Sequence, residues 1–439
     1  MKHYTLPGFR MARTILASIA AGWLLVAAAP ATPPSFILIL TDDQGLSRVG
    51  CYGGEPFKTP CIDRLAAGGL RFERFYSMPV CGPSRAALLT GKYPFRTGAT
   101  HNGNSGFDRR KHVPLAVRLR QAGYATCAIG KLGQVAGENE RDAPAGLGFD
   151  EYMLWMGRGT PDRYWHPRYH CNGKVVQGRP DEYGPDLTQR FLVDFMRRSR
   201  DAKKPFFAFY SACLPHFPFT RTPDSKDDRN HVPDMVAYQD KLVGLLARDL
   251  ERLGLRDNTI IVFTTDNGPD GSPAGTIRGR PMIGGKASVR EGGVRQPLIV
   301  YGPGRVPQGK VCTDLGDFTD IYPTLLELAG IPVPRDIDGR SLAPQWLGKP
   351  GGRPREWVHA QLGRSWFIAD KRYKLYQDGS MFDITDSPVA EHPLDASQPE
   401  VLAAKNRLAG FLGTLREGRP GVLEFRKPEP AGSARGKQH

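Results

Sequence analysis

The sequence predicts an α/β fold: a large, mostly parallel sheet sandwiched by helices, followed by a smaller antiparallel sheet toward the C-terminus. Three observations carry this. Short apolar runs bounded by turn residues alternate with stretches of helical period, the pattern of strands joined by crossover helices. Several of those runs end in polar residues, which open α/β sheets gather beyond the carboxyl ends of their strands. Past about residue 331 the prolines Pro332, Pro334, Pro344, Pro350 and Pro354 break the pattern into short strands and turns.

The elements follow in chain order. Residues 1–31 read as a secretory signal peptide, because Lys2, Arg10 and Arg13 precede an apolar run over 15–29 that closes in the small residues Ala27, Ala29 and Ala31. The run is short for a membrane span and is interrupted by Ser18 and Gly22, so no stable span is expected and the protein is exported, periplasmic or secreted. An α/β domain is expected over 32–330, with strands at 36–40, 124–129, 206–210, 260–264 and 298–301. Its helices are expected at 60–67, 84–90, 114–122, 187–199, 235–253 and 320–329. A smaller subdomain follows over 331–415, with antiparallel strands at 366–369 and 373–376, and then a mobile basic tail over 416–439.

Composition narrows the function classes. A chain of 439 residues with 40% hydrophobic and 24% charged residues can bury a sizeable core and is ordinary for a folded globular protein. The formal net charge of +15 suits an anionic partner, but the basic residues are dispersed and no nucleic-acid module is present, so nucleic acid is not expected as a partner. Seven cysteines make an odd count in an exported chain, and their spacing shows no zinc pattern. Cys127 and Cys213 lie in apolar strand-like runs and read as small buried hydrophobes.

Cys81 stands apart, in Cys81-Gly82-Pro83-Ser84-Arg85 followed by Thr90-Gly91. Pro83 suits the first turn of a helix, where no amide donor is needed, so residue 81 is expected just before a helix N-terminus, where free amides and the dipole favour a tetrahedral anion. The residues alone leave three readings of this cysteine: a modified nucleophile, a thiolate activated by the dipole and Arg85, or a buried structural thiol. The stretch resembles the signature of the type I sulfatases, members of the alkaline-phosphatase-like superfamily, in which this cysteine is oxidised to formylglycine. The resemblance implies an alkaline-phosphatase-like α/β sandwich, hydrolysis of an organic sulfate ester and a formylglycine-generating maturation enzyme as partner. It extends over about residues 35–390, through Asp320-Ile321-Tyr322-Pro323-Thr324-Leu325-Leu326, Asp338-Gly339-Arg340-Ser341-Leu342 and Tyr373-Lys374-Leu375.

The same resemblance assigns the remaining site. Asp42 and Asp43 after one strand, with Asp266 and Asn267 after another, match the family's metal ligands; all four are hard oxygen donors suited to Ca²⁺, with Mg²⁺ the second choice. Taken alone, such a pair after a strand is more often a turn or a helix cap. Lys131 and Lys286 match two sulfate-contacting lysines, and His216, in Pro215-His216-Phe217-Pro218, matches the histidine near the leaving-group oxygen. Their plain readings are a solvated strand-end lysine, a loop cation and a packing residue. One position departs: the family reads Gly-Lys-Trp-His-Leu-Gly where this chain reads Gly130-Lys131-Leu132-Gly133-Gln134, so a histidine that assists sulfate release is replaced by Gly133. His101, Gln134 or a water are the expected stand-ins. A sulfated carbohydrate or small molecule is the expected substrate. A phosphate or phosphonate monoesterase on the same scaffold and a non-catalytic binder of sulfated polysaccharide are the alternatives.

Overall fold

The computed structural model describes residues 1–3, 32–103, 106–132, 143–155, 163–227, 230–271 and 273–416. Gly133, Gln134, residues 4–31 of the expected signal peptide and residues 417–439 of the expected tail therefore lie outside the described residues. Residues from Pro33 onward belong to one compact unit. Its heart is a ten-stranded sheet in the order Lys310–Asp317, Leu70–Tyr76, Arg295–Tyr301, Thr259–Thr265, Ser35–Thr41, Phe206–Ser211, Ala125–Gly130, Glu151–Trp155, Arg168–Cys171, Lys174–Gln177. The strands from Thr259–Thr265 through Glu151–Trp155 run parallel, and both flanks turn antiparallel. Arg295–Tyr301 is antiparallel because the chain leaves the sheet at Thr265 and re-enters at Arg295 from the same end, with no helix between among the described residues but the four-residue Glu291–Val294.

The central strand Ser35–Thr41 is buried along its whole length. Phe36, Leu38 and Leu40 join the larger core on one face, while Ile37 and Ile39 join a second core on the other. This is why it reads as a continuous apolar run, and each such side chain contributes about 1.5–3 kcal/mol of burial. The helices Gly184–Asp201 and His231–Arg252 cover the second face, through Leu192, Phe195 and Met196 and through Val243, Leu246 and Leu250. The helix Cys81–Thr90 lies against the other face and is buried at every position, which explains its small, apolar sequence.

A separate five-stranded antiparallel sheet, Val358–Leu362, Ser365–Ala369, Tyr373–Tyr376, Met381–Asp383 and His392–Leu394, follows in simple sequential order. Trp366, Phe367, Ile368 and Leu375 bury into the larger core together with Leu408 and Leu412 of the helix Pro399–Arg416. The predicted α/β class with a C-terminal antiparallel sheet is the observed one.

Two boundaries are corrected. The helix that follows Val80 begins at Cys81, so residue 81 is its first helical residue and does not precede it. The helix predicted at 235–253 starts a turn earlier, at His231, because the side chain of Asn230 caps it by accepting from the Val232 amide. No helix among the described residues is long and apolar enough to cross a membrane.

Candidate active site

Parallel pairing levels the strand ends. Thr41 sits beside Thr265, Leu40 beside Ser211, and Gly130 beside Ser211, so the residues that follow each strand emerge at one edge. Asp42 and Asp43 leave the central strand with Asp43 at φ 59°, a left-handed conformation that aspartate tolerates better than most residues. The turn is held by the Asp43 amide, which donates to Asp266 Oδ1 at 3.0 Å, and by Arg48, whose Nη1 donates to the Asp43 carbonyl at 3.2 Å. Gly130 is required where it stands: at φ 90°, a Cβ would lie 1.9 Å from the Ser211 carbonyl oxygen. That close approach brings Lys131 beside the acidic pair.

The predicted residues converge. Cys81 Sγ lies 3.4 Å from Asp42 Oδ1, 3.9 Å from Asp43 Oδ1 and 3.4 Å from Lys131 Nζ. Lys131 Nζ pairs with Asp42 Oδ2 at 2.6 Å, and Lys286 Nζ pairs with Asp43 Oδ2 at 2.6 Å. Arg85, one helical turn after Cys81, reaches back over it and pairs with Asp266 Oδ2, while its Nε donates to Ser211 Oγ at 3.2 Å. Asn267 Nδ2 donates to Asp43 Oδ1 at 2.7 Å, and His216 Nε2 stands 3.5 Å from Asp43 Oδ2. Asp42, Asp43, Asp266, Asn267, Cys81 and Arg85 are all fully buried.

Burial on this scale shifts protonation. Burial alone would raise Asp42, yet Lys131, His216, Arg85 and Lys286 together hold it well below the usual carboxylate range. Asp266 goes the other way, to about 7, pushed by burial and then by the neighbouring Asp42. Burial lowers His216 to about 4. Burial and the Asp266 charge push the Cys81 thiol well up, which disfavours the thiolate nucleophile considered from the sequence. Burial alone would lower Lys286, but Asp43, Cys81 and Asp42 together raise it.

The donor set fits a hard divalent cation. Ligand atoms of Asp42, Asp43, Cys81 and His216 all lie within 4.8 Å of one another. Asn267 Oδ1 and Arg85 Nη2 are buried without a hydrogen bond among the described residues, and within hydrogen-bond distance Asp42 Oδ2 has only the Lys131 ammonium, so the cluster is unfinished by its own residues. Three carboxylates in so small a space repel unless cations intervene, and here Lys131, Lys286 and Arg85 take that part. Asp266 differs from the expected ligand picture in one respect: both of its oxygens are already engaged, by Arg85 and by the Asp43 amide.

Several contributors have no role assigned from the sequence. Ser84 Oγ donates to the Asp266 carbonyl at 2.6 Å, Asp270 Oδ2 lies 3.3 Å from Lys286 Nζ, and Arg163 Nη1 contacts His216 Nδ1 at 3.1 Å. Of the expected stand-ins for the missing histidine, His101 is exposed, next to Asn102, whose Oδ1 accepts from the Gly82 amide at 2.9 Å.

Comparison with known proteins agrees with this geometry. The family model described as Sulfatase matches residues 34–331, and that of the N-sulphoglucosamine sulphohydrolase C-terminal region matches residues 285–389. N-acetylgalactosamine-6-sulfatase of Canis lupus familiaris is 36% identical over 76% of this chain and 70% of its own length. Arylsulfatase A of Homo sapiens is 31% identical over 94% of this chain and 89% of its own. Among solved structures, Ps i-CgsB superposes with a TM-score of 0.79 at 28% identity, over 90% of this chain and 95% of that one. On the family model and these relatives, the chain belongs to the sulfatase family and is a sulfuric ester hydrolase.

Proposed function

We propose that the chain hydrolyses a sulfate ester carried on a carbohydrate, through a formylglycine made from Cys81 and a divalent cation held by Asp42, Asp43, Asp266 and Asn267. The observation that carries this reading is the meeting of Cys81 with the buried, oxygen-bearing side chains of Asp42, Asp43, Asp266 and Asn267, of which Asn267 keeps an oxygen with no hydrogen bond among the described residues. Formylglycine in its hydrated form supplies two hydroxyls, one to attack sulfur and one to expel sulfate and restore the aldehyde. The cation supplies positive charge against nucleophile and sulfate, and an all-oxygen, mostly protein-made site favours calcium over magnesium.

The chain's own residues do the rest. Arg85 braces residue 81 from one helical turn below and offsets the buried carboxylates. Lys131, 3.4 Å from Cys81 Sγ, screens the sulfuryl oxygens. Lys286 and His216, 3.5 Å apart, serve the leaving oxygen: the lysine ammonium gives the proton and His216 Nε2 a hydrogen bond. Residues 1–31 act as a cleaved export signal ahead of the domain at 32–330, with 331–415 as its companion subdomain.

Two relatives support a carbohydrate substrate, an N-acetylgalactosamine-6-sulfatase at 36% identity and Ps i-CgsB, also solved in complex with k-i-k-neocarrahexaose at 28% identity. The test is to produce the protein with and without a formylglycine-generating enzyme and assay sulfate release from defined sulfated sugars, with aryl phosphate as control. Peptide mass spectrometry should find formylglycine at 81 only in the first preparation, and only that preparation should release sulfate. Full turnover by protein carrying unmodified Cys81, or turnover of phosphate alone, would overturn the reading.

A further inference from the structure

Arg163 is an arginine buried to 6% exposure on the loop before Arg168–Cys171. Its guanidinium stacks on Trp155, 3.9 Å from the ring centroid, and among the described residues its one hydrogen bond is to His216 Nδ1, at 3.1 Å. The next residue holds the same loop by its backbone: the Tyr164 hydroxyl donates to the carbonyls of Cys213 at 2.9 Å and His216 at 2.5 Å. A guanidinium is never an acceptor, so this contact requires a bare Nδ1.

Nδ1 has a second neighbour, the Phe217 carbonyl oxygen at 2.6 Å, which can bond it only if Nδ1 carries the proton. The two partners exclude each other. Arg163 prevails, because its bond to Nδ1 is charge-assisted and because a protonated Nδ1 would set N–H against N–H beside a buried cation. On the other side of the ring, Nε2 faces Asp43 Oδ2 and Lys286 Nζ, both at 3.5 Å; two of the lysine's three hydrogens go to Asp43 and Asp270 at 2.6 and 3.3 Å, and Asp43 Oδ2 is the acceptor within reach of an Nε2–H.

We infer that Arg163 is a positioning residue for His216: stacked on Trp155, it donates to Nδ1 and keeps the imidazole proton on Nε2, the nitrogen turned toward the sulfate site. The inference rests on the sulfatase reading for its consequence, a hydrogen bond to the departing oxygen, but its geometry can be read without turnover. Removing Arg163 hands Nδ1–H to Phe217 and leaves Nε2 bare.

Protein labelled with ¹⁵N at its 10 histidines, unmodified at Cys81 and free of metal, gives the tautomer directly by two-bond nitrogen–proton correlation, with His216→Asn assigning the signal. His216 should be protonated at Nε2 in the parent and at Nδ1 in Arg163→Gln. An Nδ1-protonated His216 in the parent overturns the inference without any variant, as does a tautomer unchanged in Arg163→Gln. In matured enzyme, Arg163→Gln should lower kcat/KM about 100-fold on a sugar sulfate and less than about 10-fold on 4-nitrophenyl sulfate, whose leaving group needs little help. Equal losses on both esters would mean a merely structural role and sink the inference. Absence of turnover on either ester by the matured parent would instead refute the sulfatase reading, and the tautomer would still decide the role of Arg163.

Discussion

The active-site edge and the root of the C-terminal sheet each bury a cluster of charges, and they differ in how many polar atoms find partners. At the root, Lys374 Nζ sits between Glu291 Oε1 at 2.8 Å and Glu391 Oε1 at 3.0 Å. The other oxygens are taken by Tyr76, Ser387, Tyr376 and Arg290. Glu291 accordingly falls to about 2: burial would raise it, but Lys374 and Arg295 win. At the active-site edge Asp266, equally buried, rises to about 7 because burial is joined by the charge of Asp42. There Asn267 Oδ1 and Arg85 Nη2 stay without a hydrogen bond among the described residues, while Asp42 Oδ2 is met by the Lys131 ammonium. Buried unpartnered groups cost about 1–3 kcal/mol each. In a charged cluster such gaps leave room for a ligand to complete the set, and in this respect the two clusters differ.

Neutralising one member of the unfinished cluster tests this most sharply. Asp266→Asn keeps the size of the side chain and relieves the crowding of carboxylates, but its amide sets N–H against the Asp43 amide or Arg85, so the metal-free protein should lose only about 1–3 kcal/mol. Turnover of the matured variant should nonetheless fall by roughly 10²- to 10³-fold, the usual cost of removing one electrostatic contributor, and calorimetry should show weakened calcium binding. A large drop in melting temperature with calcium binding intact would mean that the two clusters do not differ in kind.

The finished cluster should respond the other way. Lys374→Met leaves Glu291 and Glu391 buried without their shared cation, and breaking a buried pair on one side destabilises by about 3–5 kcal/mol. Denaturant unfolding should show that loss, partly recovered by adding Glu391→Gln, while sulfate release per folded molecule stays near the parent value. Loss of turnover at unchanged stability would place Lys374 in the chemistry.

How much of this was legible in the sequence follows from the same distinction. The α/β class, the central strand and the levelled strand ends could be read because both faces of those strands are buried and leave uninterrupted apolar runs. Strand Leu70–Tyr76 was missed because Arg71, Glu73 and Arg74 stand half-buried between its buried residues and hide the run. Lys310–Asp317 was missed because it is a polar edge strand. In the site, Cys81, Arg85 and the acid pairs announce themselves by motif. Arg48 and Arg163 do not, since an arginine that bonds a carbonyl or an imidazole from a distant part of the chain has no local pattern. The Lys374, Glu291 and Glu391 cluster is invisible for that reason too: its members come from three separate segments.

The smallest expected effect is the pH response of Glu291. Its folded value, about 2, lies below the ordinary 4.5, so the carboxylate contributes stability that is fully present above pH 4.5 and is lost as pH falls from 4.5 toward 2. The size follows from the shift, on the order of 3 kcal/mol at 1.36 kcal/mol per pH unit. Other carboxylates titrate in the same range, and comparison with Glu291→Gln removes them because they are common to both proteins. The stability gap between parent and variant, measured by urea unfolding of metal-free protein, should be widest at pH 6 to 7 and should narrow by that amount as pH drops to about 2. A gap that stays constant across this range would show that Lys374 and Arg295 do not hold Glu291 ionised. The root cluster would then owe its order to packing around Tyr76 and Tyr376, and the contrast with the active-site edge would have to be drawn from hydrogen bonding alone.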